Sequence, residues 1–178
     1  MSTSIQLTHL QHALAEFGRM DLAQRVRVAD EIFERQPNLL ASVLVLKKMG
    51  ASDAQLEVAL QALLMTWLAM RQSGRSWPLI TEAVQEACLQ RLTGRMRFIE
   101  GLPAEQVQRA LQDQIDAHGE RNLLAFAFAH LGDAGLLGIR TDAEKFVVLA
   151  VLNLVECIAS DVAAKRARAR THPPGSSN

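Results

Sequence analysis

Apolar residues recur at helical spacing from one end of this chain to the other, and nowhere do they alternate as a half-buried strand requires. Leu7, Leu10, Leu14 and Phe17 share one face of a first helix that stops at Gly18. Leu22, Val26, Ala29 and Phe33 form the same pattern in a second, opened by Asp21 and closed before Pro37. A third follows Asn38, carries Leu39, Leu40, Val43 and Leu46, and ends at Gly50. Ser52 and Gln55 have the spacing of a capping box, and Gly74 supplies a stop, so a long fourth helix is expected near 53–73. Its main apolar arc is Leu56, Leu60, Leu63, Leu64 and Trp67, with Val58 and Met65 on the far side. A helix apolar on two sides belongs in the centre of a bundle.

A fifth helix follows Ser76-Trp77-Pro78 and runs toward Gly94. A sixth starts near Pro103, and a seventh holds Leu123, Leu124, Phe126, Ala127 and Leu131. Thr141 and Glu144 open a last helix, expected near 142–165, that is apolar over most of its circumference from Phe146 to Val162. Asn153, Glu156 and Ser160 form its polar stripe. The fold class is therefore all-α: a single-domain bundle of about seven to eight helices over 1–164. A basic tail at 165–178, rich in Pro, Gly and Ser toward its end, is expected to be flexible.

Composition narrows the function. The 178 residues are 49% hydrophobic but only 4% aromatic, with no tyrosine, so the core must be aliphatic. Such a chain can bury about 70% of its unfolded surface and needs no staples. Net charge is zero, which argues against strong attraction to nucleic acid or anionic lipid and leaves little repulsion between copies. Cys88 and Cys157 lie in apolar runs without a CxxC, as buried thiols in a reducing compartment would. No signal peptide is visible, and Asn153, Glu156 and Asp161 interrupt the most apolar segment, so no membrane span is expected. A cytoplasmic location follows as the expectation.

The familiar constellations fall short. Ser42 to Ala59 has the outline of a helix-turn-helix, with Val45, Met49 and Leu56 packing between its arms. Its second helix opens with acids and has no base before Arg71, which suits an ordinary hairpin better than DNA. His9, His12 and Glu16 share a helix face, yet three residues on one exposed helix without a companion cluster read as a solvated surface. Asp116, His118 and Glu120 gather at a turn, with His130 and Asp133 at the end of the next helix. The chain has no His-Glu-x-x-His, Gly-x-Ser-x-Gly or phosphate-cradling glycine loop. No catalytic residue, metal ligand or cofactor is assigned. Gly50-Ala-Ser-Asp-Ala-Gln and Gly101-Leu-Pro-Ala-Glu-Gln echo one another, as two capped helix starts would.

What remains is surplus apolar helix surface. It predicts a protein-binding or adaptor-type domain that self-associates, with an interface through Val148, Val151, Leu152, Val155 and Ala159 of the last helix and through Trp77. An unidentified protein is the expected partner. A second expectation is a small ligand held between helices by His130 or Glu156. Arg91 and Arg95, one turn apart, are a possible anion contact. A third is a nucleic-acid regulator acting through the basic tail, although nucleic acid is an unlikely partner on charge.

Overall fold

The structure is a computed structural model that describes residues 4–171, with side chains described through residue 160 except Phe98, Glu100 and Ala104. It contains eight α-helices among these residues: α1 (Leu7–Arg19), α2 (Leu22–Arg35), α3 (Pro37–Leu44), α4 (Asp53–Gln72), α5 (Glu82–Glu100), α6 (Ala104–Ala117), α7 (Arg121–Asp133) and α8 (Asp142–Thr171). A 3-10 turn, Val45–Lys47, continues α3. The described residues contain no strand, and none of their helices is long and apolar enough to cross a membrane. The seven tail residues beyond Thr171 lie outside the described residues.

Local signals explain most boundaries. The Ser52 hydroxyl accepts the Gln55 amide N–H at 3.2 Å, and the Gln55 side chain accepts the Ser52 N–H at 2.9 Å, so both halves of the box are made. Gly74 ends α4 with φ at +64°, a conformation glycine adopts without cost. Pro37 occupies the first turn of α3, where its missing N–H costs nothing. Ahead of α8, Thr141 caps the Glu144 N–H, but the Glu144 carboxylate accepts from Arg140 rather than from Thr141. That box is only half formed.

The core is one continuous cluster centred on α4. Every residue from Ala62 to Met70 is buried, because α1, α2, α3, α7 and α8 pack around this helix. α5 lies along α8, and α6 bridges α5 and α7. Two expected faces are corrected. In α2 the core contacts are Val28 and Ile32, while Leu22 (78% exposed), Val26 and Phe33 (63%) face outward. In α1 Leu10, Ala13 and Phe17 are buried and Leu7 and Leu14 are exposed. The rotation of α2 is fixed by contacts outside its apolar pattern. Arg25 stacks on the Phe17 ring at 4.3 Å, and Glu31 pairs with Arg71 of α4. Just beyond its end, the buried Gln36 side chain donates to Pro78 O and accepts from the Ile80 N–H, strapping the loop before α5 to the body.

The expectation for the last helix is also corrected. Helix α8 extends to Thr171, past the expected end, and takes in Lys165, Arg166, Arg168 and Arg170. The segment Val147–Ile158 is buried within the chain itself except at Leu149 and Ala150, which are half-buried.

Deleting buried methylenes from this core leaves a cavity, so Leu68→Ala is expected to cost about 3 kcal/mol in urea unfolding. Leu22→Ala on the outward face of α2 is expected to cost less than about 0.5 kcal/mol.

Candidate functional site

Polar side chains on a buried helix must find partners inside the fold. The stripe expected on α8 is of this kind: Asn153 and Glu156 are both buried, and Ser160, half-buried, donates its hydroxyl to Cys157 O at 2.7 Å. Each of the two buried residues carries a buried oxygen without a hydrogen-bond partner, Asn153 Oδ1 and Glu156 Oε1, and only Glu156 has charged or titratable side chains beside it.

Glu156 forms an ion pair with Arg95 of α5 and lies 3.4 Å from His118 Nε2, which follows α6. His118 Nδ1 accepts the Glu120 backbone N–H at 3.2 Å. With Nδ1 accepting from the backbone, Nε2 is the ring nitrogen that faces the Glu156 carboxylate. Burial raises the Glu156 carboxyl, but the hydrogen bonds and charges of His118 and Arg95 outweigh it and hold the group at about 2, below its ordinary 4.5. A carboxylate beside a histidine resembles acid–base machinery. Here both ring nitrogens are engaged within the protein, so the pair acts as a brace between α5, α6 and α8. A cleft of about 430 Å³ opens beside it, lined in part by Arg95, Ile99 and His118.

Glu120 anchors a second buried network. One of its oxygens accepts the Ile5 N–H at 2.7 Å, and the other lies 3.3 Å from Arg75. Arg75 in turn stacks over the Trp77 ring at 4.0 Å. Burial pushes the Glu120 carboxyl up, with Ile5 and Arg75 offsetting part of the rise. This network pins the N-terminal segment to the start of α7. Trp77 donates its indole N–H to Met70 O, a lid over the end of α4.

The other expected site residues are placed as follows. Val148, Val151, Leu152 and Val155 are buried in this chain, at 1–2% exposure, and Ala159 is half-buried. The four valine and leucine side chains cannot also face a second subunit, which corrects the expected interface. His130 meets the Val58 carbonyl at 2.9 Å through Nε2 and stacks on Phe126, away from Glu156 and His118. Arg91 donates to Cys88 Sγ at 3.1 Å while Arg95 is committed to Glu156, so the two arginines do not converge on an anion. His9 caps the Gln6 N–H and Glu16 pairs with Arg71. No cluster able to hold a metal ion occurs among the described residues. Cys88 and Cys157 are buried and unbridged, and burial together with Cys88 pushes the Cys157 thiol well up.

Asn153 belongs to a different feature. Its Nδ2 donates to Gln85 O at 3.1 Å, which fixes the amide orientation. Its Oδ1 is buried without a hydrogen-bond partner. The side chain lines a groove of about 350 Å³ between the α3 turn, α5 and α8. Val45, Leu46, Met49, Leu89, Phe146, Leu149, Ala150 and Leu154 make its walls apolar, and Ser42, Gln85, Glu86 and Thr93 are its polar members. Val45 and Met49, expected to pack inside the hairpin, are instead exposed at this groove. Sequence reading missed the site. The available signal was the excess apolar arc of α8, which faces the core on one side and this groove on another.

Compared with known proteins, the chain matches no family model, no curated protein and no solved structure.

The depressed Glu156 carboxyl contributes stability that is complete above about pH 4.5 and is lost as pH falls toward 2. Urea midpoints across that window should fall steeply for the natural chain and more shallowly for Glu156→Gln. At pH 7, Arg95→Ala leaves the buried carboxylate with only His118 and should cost on the order of 3 kcal/mol.

Proposed function

We propose that this chain is a non-catalytic binding domain and that the groove between the α3 turn, α5 and α8 holds a small amphipathic ligand. The observation that carries this reading is Asn153 Oδ1: an acceptor without a partner, in the wall of an apolar groove. An unsatisfied buried polar atom costs about 1–3 kcal/mol, which a ligand's donor would recover. The volume of about 350 Å³ fits the range of small-molecule sites, and one polar anchor among apolar walls is their usual chemistry. Two buried, unbridged thiols fit a reducing, cytoplasmic setting.

A second reading, self-association, is favoured by the outer face of α2. Leu22, Val26 and Phe33 are exposed there and Ala29 is half-buried among them. The intervals between these four positions read the same from either end. Two antiparallel copies of α2 about a two-fold axis would set Leu22 of each against Phe33 of the other. Zero net charge favours such an approach.

The groove is tested with decanol and a neutral solvatochromic dye. Both should bind saturably at one site per chain, decanol with a Kd on the order of 100 µM. Ala150→Phe, which fills the groove, should abolish binding and leave the unfolding midpoint within a few degrees of the natural chain. Binding that survives Ala150→Phe contradicts the assignment. For the second reading, light scattering at high protein concentration should show a dimer that Phe33→Glu converts to monomer; a natural chain that stays monomeric contradicts it.

A further inference from the structure

The hydrogen-bonding groups of the groove lean toward acceptors, and its charge is negative. The Ser42 hydroxyl donates to Leu39 O at 2.8 Å, and the Thr93 hydroxyl donates to Leu89 O at 2.8 Å. The Gln85 amide nitrogen donates to Asn38 O at 3.2 Å, and Asn153 Nδ2 donates to Gln85 O. Each of these side chains spends a donor on the protein backbone. Beyond the second N–H of each amide, what the lining offers is acceptors and negative charge: Asn153 Oδ1, which has no hydrogen-bond partner, and the Glu86 carboxylate, which meets Gln90 Nε2 at 3.5 Å. Glu86 is the only charged residue in the lining, and it follows directly on Gln85, whose carbonyl holds Asn153.

We infer that the groove selects a free aliphatic amine, an apolar chain ending in a protonated primary amine. The inference rests on the ligand-binding reading above and deepens it. An ammonium brings three donors and one positive charge. One N–H satisfies Asn153 Oδ1 and another meets the Glu86 carboxylate, while the chain covers Leu89, Leu149 and Ala150. A carboxylate head group brings only acceptors and a negative charge to a lining with no cation. An alcohol has a single donor, enough for Asn153 alone. The volume of about 350 Å³ holds roughly a dozen heavy atoms at about 30 Å³ each, the size of a ten-carbon chain with its head group rather than a folded segment of protein.

The test is calorimetric titration of the full chain with decylamine, decanol and decanoate, each below its micelle concentration. Decylamine is expected to bind about 10-fold more tightly than decanol, and decanoate more weakly than either. Glu86→Gln, on an exposed residue, should bring decylamine to the affinity of decanol and leave decanol unchanged. Asn153→Leu should weaken both. Equal binding of decylamine and decanoate, or an amine preference that survives Glu86→Gln, overturns the inference while leaving the groove a binding site. Failure of all three ligands to bind overturns the inference and the ligand-binding reading together.

Discussion

The inner segment of α8 is buried by its own chain on all but the groove side at Leu149 and Ala150, and two polar side chains ride on it into the interior. The bundle must satisfy Asn153 and Glu156 without much help from water. It pairs Glu156 with Arg95 from α5 and His118 from the end of α6, although the carboxylate Oε1 makes no well-formed hydrogen bond there. This contact ties the end of α6 to α5 and α8, which already pack along one another. Removing one partner strands a charge, whereas replacing the whole set by apolar side chains can be neutral. The cluster therefore fixes how α5 and α6 sit on α8 more than it adds stability.

Asn153 lies one turn earlier and is left half satisfied. Its amide nitrogen is bound to α5, and its oxygen has no partner. The difference follows from which residues surround each position. Near Glu156 the neighbouring helices supply a guanidinium and an imidazole. Near Asn153 they supply leucine, valine and methionine, with hydroxyls that donate back to their own helix backbone. One stripe on one helix thus yields a closed brace at its C-terminal end and an open, acceptor-lined groove before it. The histidine–carboxylate pair, which looks like chemistry, is packed against Arg95 and the Glu120 backbone; the groove, which looks inert, holds an unmet acceptor.

The all-helical class and the central position of α4 were legible because they rest on local signals: period, caps and glycine stops. Residues 62–70 are apolar or small nearly all round, and only the middle of a bundle accommodates that. The faces of α1 and α2 were not legible. Leu22, Val26 and Phe33 make a better stripe than Val28 and Ile32, yet the contacts that set the rotation come from Phe17, Arg71 and the loop at Pro78, distant in sequence. The same holds for the site. Nothing near Glu156 announces Arg95 or His118, and nothing near Asn153 announces Val45 or Met49. The apolar arc of α8 points in the sequence to a second subunit, since one helix's pattern does not say how many neighbours of its own chain surround it. The echo between residues 50 and 101 is one of helix starts: α4 opens on a reciprocal box at Ser52, whereas α6 opens at Pro103 with no side-chain cap.

The central claim is that the groove beside Asn153 is where this protein meets its ligand. Nitrogen-15 and methyl NMR spectra recorded during titration with decanol test it most directly. The account predicts saturable shifts of the Asn153 side-chain amide and of the Leu89, Leu149 and Ala150 methyls, with one midpoint and one site per chain. Shifts confined to the outer face of α2, or none at saturating ligand, would contradict it.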